Sequence, residues 1–516
     1  MQNSILSMLS AYYPVSDSLR TLNGRKYMLS SAIAATVIYL VYDHLFKPPK
    51  ELRHIPYVSW LPAFFSSFRG ISTFDYNKKN IQPKIKSKKI KDIYVRLSEV
   101  GWTVYITNVS EAKRILMKPD LFPKVDLSKG LENTLRSKMN DNHSLFFSNG
   151  NSWKNQRVLL GPAVGRHLSV KKYAEITSIL LNQIDQLEDS ADIKSLIRRY
   201  TLDAIADTSL GKINIDPNCE IVNTYAILDE GIQDPFHFYF PYFEQNHLWM
   251  FPRLAALHDK LDLFRNLIDK MISERKEELK KKNSNRHDLL TVMLEAQEED
   301  GSMTDEQIKS NINFSFLTGY NSTANILCFA LYHLAANPDI QHRARQEVLS
   351  VLGNEPKGVH PTLEQIKHMR YIYAIIKEVL RMHPTAPRSI PRIIQDDIVV
   401  CNKLIPKGSL VAIDIFNMHH HDDTWPNGDV FDPERFEKAG NDDAGKGLSW
   451  LPFGGGSRQC IGMNLSLLIQ RICLCMLLSQ YEWTLPEDSV HKNGLVTRGA
   501  FLVAPQDMRL KFKHLS

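Results

Sequence analysis

One ten-residue stretch constrains this 516-residue chain more than any other: Phe453-Gly454-Gly455-Gly456-Ser457-Arg458-Gln459-Cys460-Ile461-Gly462. It predicts a Gly-rich loop that carries one cysteine to the start of a helix, because Met463, Leu465, Leu468, Ile469, Ile472, Met476 and Leu477 then recur near the 3.6 period. Free N–H groups and the helix dipole favour an anion at that point, so a depressed thiol pKa and a metal-ligating thiolate are expected. Glycines without a Cβ let backbone lie close against a flat, bulky cofactor. Arg458, two residues before the cysteine, carries a planar fork that matches a carboxylate. These residues suit an iron porphyrin held by an axial thiolate, with a propionate on the arginine. The competing reading is a buried structural cysteine after a glycine turn.

Composition narrows the field. Lys+Arg of 63 against Asp+Glu of 57 leaves a net charge of +6, too little for a general nucleic-acid binder, and no nucleic-acid partner is expected. The cysteines (Cys219, Cys328, Cys401, Cys460, Cys473 and Cys475) form no Cys-x-x-Cys pair, which favours a reduced, cytosol-facing domain and does not suggest zinc. Residues 1–26 are polar and irregular. Tyr27 to Tyr42 has no charge and as a helix would span about 24 Å. With Leu45-Phe46 it predicts a membrane anchor over 27–46, against a signal peptide or a buried helix. Pro48-Pro49 predicts a stiff hinge over 47–56, leaving 57–516 as the catalytic domain.

Further along, the lysines from Lys78 to Lys91 are either a contact to anionic membrane lipids or a solvated face. Alternation from Ile93 to Ile106 predicts a strand hairpin. Trp153 and Arg157, four apart on a helix opened by Gly150, share a face and can both reach a carboxylate. Residues 234–252 are crowded with aromatics and broken by Pro235, Pro241 and Pro252; they are either core or a mobile roof over a lipophilic pocket. Residues 280–285 read as a polar loop. Thr304-Asp305-Glu306-Gln307 is a capping box opening the longest helix, which runs to about Ala336, with Asn337-Pro338 capping the next. In its middle, Gly319 is costly unless a ligand or dioxygen lies against the backbone there. Glu378 and Arg381 can pair on one helix face among apolar neighbours, with Arg435 as a further partner. The consecutive His419-His420-His421 diverge too much to hold one ion.

The spacing Phe-x-x-Gly-x-Arg-x-Cys-x-Gly, met at Phe453, Gly456, Arg458, Cys460 and Gly462, resembles the heme-binding signature of the cytochrome P450 family, eukaryotic microsomal type. Glu-x-x-Arg at Glu378 and Arg381, Pro-Glu-Arg-Phe at Arg435 and Trp-x-x-x-Arg at Trp153 and Arg157 are similar to the family in the same order, over roughly residues 50–516. The resemblance implies a mainly α fold with a small β-rich lobe, behind an N-terminal anchor helix. It implies heme b with Cys460 as axial thiolate, and Arg458, Arg392, Trp153 and Arg157 toward the propionates. Glu378, Arg381 and Arg435 become a structural triad. Thr318-Gly319-Tyr320-Asn321-Ser322-Thr323 lies where the family has (Ala/Gly)-Gly-x-(Asp/Glu)-Thr-Thr, whose acid and first Thr deliver protons. Here Asn321 replaces the acid and Ser322 the Thr, followed by Thr323, so a proton carrier is missing while hydroxyls remain. The alternative for both hydroxyls is back-bonding to the preceding turn.

What the resemblance implies is a monooxygenase of lipophilic small molecules (steroid, fatty-acyl or polycyclic), anchored in the endoplasmic reticulum membrane and facing the cytosol. Electrons would come from NADPH through an NADPH–cytochrome reductase. A heme-thiolate isomerase or dehydratase acting on a hydroperoxide, and a non-catalytic heme- or lipid-binding relative, are the two other readings.

Overall fold

Burial of the apolar stripes identified above organises the computed structural model, which describes residues 22–139, 142–166, 168–187, 191–211, 220–281, 288–353, 359–437, 449–499 and 502–515. Residues 1–21 of the polar N-terminal segment, Cys219 and residues 282–285 of the expected loop lie outside these. Helix α1 (Leu22–Phe46) starts earlier than expected, and its Tyr27, Leu29, Ile33, Val37 and Leu40 are exposed. The proline segment after it, expected as a stiff hinge, is held by its neighbours. Pro48 is buried, its carbonyl accepts from Arg53 Nε at 2.9 Å, and Arg53 also pairs with Asp43 at 2.7 Å. Phe46 stacks on Trp60 at 5.3 Å, just before helix α2 (Leu61–Phe68).

The expected hairpin forms as β1 (Ile93–Ser98) and β2 (Gly101–Ile106), antiparallel from Ile93–Ile106 to Ser98–Gly101. With β3 (Arg392–Ile393) and β4 (Leu410–Ile413) they make a sheet in the order β1-β2-β4-β3, in which β2 and β4 run parallel. Leu52, Ile55, Ile115, Phe122 and Ile415 help close a core of its own around this lobe.

The larger core belongs to helices. In chain order they include α3 (Gly150–Arg166), α4 (Ile193–Leu210), α5 (Glu220–Ile232), α6 (Pro235–Tyr239), α7 (Pro241–His247), α8 (Asp305–Ala336), α9 (Arg370–Met382) and α10 (Met463–Gln480). Among the described residues α10 alone is long and apolar enough to cross a membrane, and most of it is buried in the core. The 32-residue α8 is the central beam, roughly 48 Å long. Thr304 and Gln307 cap it reciprocally, at 3.2 and 3.0 Å. Asn337 does not cap the helix that follows; its Nδ2 turns back to the His333 carbonyl at 2.7 Å, and Pro338 takes the first helical position.

A Cβ at Gly319 would meet Ile205 of α4 at 3.2 Å, so this glycine serves the close approach of two helices. One expectation is corrected here. Pro235 and Pro241 start α6 and α7, because proline at a first helical position loses no hydrogen bond. Residues 234–252 thus form two short helices and a single 3₁₀ turn, with Tyr239 packed on Phe64 of α2 at 4.9 Å and Trp249 79 % exposed.

The expected triad is fully built. Arg381 grips Glu378 with two bonds of 2.7 Å, and both side chains are 0 % exposed. The other guanidinium hydrogens go to the carbonyls of His419 (2.7 Å) and Gly428 (2.8 Å), and Arg435 Nε lies 3.4 Å from the same carboxylate. Burial keeps His419 neutral, far below its ordinary pKa. Leu451 N–H donates to its Nε2 at 2.8 Å, which puts the proton on Nδ1, bonded to the Arg381 carbonyl at 3.0 Å. His420 Nδ1 is likewise spent on the Phe416 carbonyl at 2.8 Å. Glu378→Ala would strand a buried guanidinium, and a loss of about 3–5 kcal/mol is expected in chemical denaturation.

Candidate cofactor site

The stretch 453–462 stays out of the helix until Met463 because its glycines take it elsewhere. Gly454 and Gly456 have φ of +68° and +69°, the left-handed region. A Cβ at Gly456 would stand 2.6 Å from the Leu116 carbonyl, so no other residue fits. Cys460 N–H donates to the Phe453 carbonyl at 2.9 Å and closes the loop. Gly462 then leads into α10.

Cys460 is exposed by surface area, yet burial raises its thiol pKa. Both hold if the sulfur faces an internal space lined by protein and not bulk water. The depressed pKa expected from the helix terminus is therefore not found: desolvation outweighs the Gly462 N–H and the cations Arg157 and Lys124. A coordinating metal would itself remove the proton.

Four cations surround that space. Arg458 donates to the Ser148 carbonyl at 2.7 Å and Asn149 Oδ1 at 3.0 Å, and its guanidinium lies 3.8 Å over the Trp153 ring. Trp153 thus supports the arginine with its ring face. Burial and the charge of Arg392 pull Arg458 down to about 10. Its Nε is buried without a partner. Arg392 bonds the Phe122 carbonyl at 2.9 Å and is also lowered to about 10 by burial. Arg157, half-buried on α3, makes no hydrogen bond or ion pair among the described residues.

The fourth cation, Lys124, has no motif to announce it. A β-bridge to Arg392 brings it in, and its Nζ reaches the Phe146 carbonyl at 2.5 Å and sits 4.0 Å over the Phe146 ring. Burial, then Arg458 and Arg392, push its pKa well below the ordinary value. The carboxylate acting on Arg458 is Asp120, outside on the surface, where Lys154 holds it at 3.3 Å. Buried like charges with no acid between them are unfavourable until an anion joins them. The orphan Nε, the cation set and the glycine cradle beside a lone thiol fit heme b with its two propionates. Beside Lys124, Phe146 stacks on Phe314 with centroids 4.3 Å apart, and Phe147 meets Phe314 edge-on at 5.5 Å, an apolar cluster next to the cations.

The hydroxyls in the middle of α8 are back-bonded. Ser322 donates to the Thr318 carbonyl at 2.7 Å and Thr323 to that of Gly319 at 3.1 Å. Thr323 also meets Ser466 of α10 at 3.0 Å, tying the beam to the helix that follows the cysteine. Asn321 turns the other way, its Nδ2 donating to Tyr225 of α5 at 3.4 Å. So Cys460 and the propionate candidates converge, and Asn321 does not join Ser322 and Thr323.

Comparison with known proteins shows the family. Residues 85–512 match the family model for cytochrome P450. The chain is similar to cytochrome P450 3A12 of Canis lupus familiaris, 29 % identical over 364 residues, covering 66 % of this chain and 69 % of that protein. It is also similar to cytochrome P450 3A13 of Mus musculus, 30 % identical over 361 residues with the same coverage.

The electrostatics generate a prediction for Lys124. A cation whose pKa is lowered on folding makes the anion-free protein gain stability as pH rises through that lowered pKa toward the ordinary 10.5. Lys124→Met is expected to flatten this rise in melting temperature while speeding heme loss to a scavenger protein by about tenfold, worth ~1.4 kcal/mol.

Proposed function

Because the chain belongs to the cytochrome P450 family, we propose that α1, whose exposed apolar residues fall short of the hydropathy of a full span, attaches it to the endoplasmic reticulum membrane, and that it takes electrons from NADPH through a partner reductase. The enzyme is a cytochrome P450 monooxygenase, an oxidoreductase with heme-thiolate chemistry acting on lipophilic substrates. What carries the reading is the lone Cys460 thiol facing an internal space ringed by Lys124, Arg157, Arg392 and Arg458 with no carboxylate among them. Heme, when bound, supplies the activation of dioxygen and the transfer of one oxygen atom.

The residues around it have separate tasks. Cys460 would ligate the iron from a loop that Gly456 presses against Leu116. The four cations would hold the propionates and so orient the ring. Phe146, Phe147 and Phe314 exclude water and favour steroid, fatty-acyl or polycyclic groups. The exposed apolar residues of α1, with Tyr242 and Trp249 in the roof, support a membrane-facing side. Cys328, Cys401, Cys473 and Cys475 are free thiols, which suits a cytosolic face.

Asn321, in place of an acid, supports a second reading: an isomerase or dehydratase that rearranges a hydroperoxide without a reductase. Purified protein with reductase, NADPH and a lipophilic panel under labelled dioxygen separates the two. One labelled oxygen in a product is expected; unlabelled product with hydroperoxide consumed would transfer the assignment to the rearranging enzyme. Cys460→Ala is expected to abolish the thiolate-ligated heme spectrum, and an unchanged spectrum would overturn the heme-thiolate reading itself.

A further inference from the structure

A polar pocket that none of the roles above uses lies between α2, the β1–β2 hairpin and α6, with Ser67, Asn77, Arg96, Tyr105 and Tyr239 among its walls. The acids that line it are engaged. Arg388 grips Glu99 with both Nη atoms, and Arg136 lies 3.8 Å from the same carboxylate. Asp414 accepts from the Tyr94 hydroxyl at 2.5 Å and from Asn417 Nδ2 at 2.7 Å, and burial favours its protonated form. Asp234, at the exposed rim, caps α6 by accepting the Phe236 N–H at 2.8 Å. The donors are not engaged in the same way. Arg96 Nη1 donates to Asn77 Oδ1 at 3.3 Å and its guanidinium lies 4.7 Å over the Tyr76 ring, yet it pairs with no carboxylate among the described residues. The Tyr105 hydroxyl and Asn77 Nδ2, both on buried side chains, have no hydrogen-bond partner among the described residues. Three donor groups, one of them charged, thus line one space without an acceptor. Beside them Tyr239 meets Phe68 of α2 at 6.3 Å, and Phe68 and Phe65 are exposed.

We propose that this pocket binds the phosphate head of an anionic membrane phospholipid, with Arg96, Tyr105 and Asn77 donating to the phosphate and the acyl chains lying along the exposed rings of α2. The inference rests on the reading that α1 attaches the protein to a membrane, and it needs no heme chemistry. The planar fork of a guanidinium matches two phosphate oxygens, and bonds to an ionised acceptor are the stronger kind. The buried acids, Glu99 and Asp414, are spent, so neither is left to receive the ammonium group of a zwitterionic head. Continuity favours a lipid over a free anion. Phe46 on Trp60, and Trp60 on Tyr239, join the end of α1 to the pocket wall, which sets the pocket beside the helix that would meet the bilayer.

The test titrates full-length heme-loaded protein in a neutral detergent with three probes, followed by calorimetry. They are dihexanoyl phosphatidic acid, dihexanoyl phosphatidylcholine and inorganic phosphate. Wild type is expected to bind the phosphatidic acid at least about tenfold more tightly than either of the others. R96Q is expected to lose about tenfold or more of that affinity, and Y105F, which removes only the hydroxyl, a smaller part of it. Both are expected to keep the thiolate heme spectrum, which reports the fold. If R96Q does not fold, Y105F carries the test. Wild-type affinity in R96Q, or in Y105F where it stands alone, overturns the inference. So does phosphatidylcholine bound as tightly as phosphatidic acid, or inorganic phosphate bound as tightly, which would make this a site for a free ion. The short-chain probes need no bilayer, so flotation of the full chain with phosphatidylcholine vesicles tests the membrane reading separately. Failure to float would remove that reading and leave the pocket result as measured.

Discussion

The guanidinium of Arg381, buried completely against Glu378, is the constraint from which the cysteine side of the molecule hangs. Neither charge can be in place without the other; Arg381 needs the carbonyls that the chain from His419 to Val430 delivers, and Glu378 accepts the Asp432 N–H just beyond them at 3.0 Å. Satisfying the arginine therefore fixes a long irregular segment that no helix or sheet would hold. His419 passes the restraint on. It accepts from Leu451, two residues before Phe453, so the loop that presents Cys460 is set from behind by a neutral imidazole. Arg458, bonded to Ser148 and Asn149, holds the same loop from the other side.

In front of the loop the situation is reversed. Lys124, Arg392 and Arg458 are each shifted toward neutrality by burial, and no acid on the inside relieves them. The thiol is likewise shifted toward its protonated form. Behind the loop the buried Arg381 and Glu378 charges neutralise each other, while the cations in front have no acid among them. That contrast marks where the protein ends and the cofactor begins, and it gives the binding of a dianionic ring a driving force stored in the fold.

Local rules made much of this legible. The Thr304–Gln307 box marked the start of α8, and alternation from Ile93 to Ile106 marked the hairpin, because caps and pleats act within a few residues. Cys460, Arg458 and the glycines were readable for the same reason, all within one ten-residue turn. Lys124 was not, since its place depends on a bridge to Arg392, 268 residues away in sequence. Gly319 was noticed but its neighbour was not: a glycine in a helix signals close approach, and only the packing shows that Ile205 approaches. The prolines at 235 and 241 carried two opposite meanings, start and stop, which composition alone does not separate.

Phe46 on Trp60, and Trp60 on Tyr239 at 6.3 Å, form an unbroken run of rings from the end of α1 to α6. With Arg53 clasping both Asp43 and Pro48, the joint after α1 has little freedom to swivel. The N-terminal helix is then a lever arm more than a tether. Its tilt is set relative to α2 and α6 by the rings that join them, so a change of slope at one end is felt at Trp60 and Tyr239.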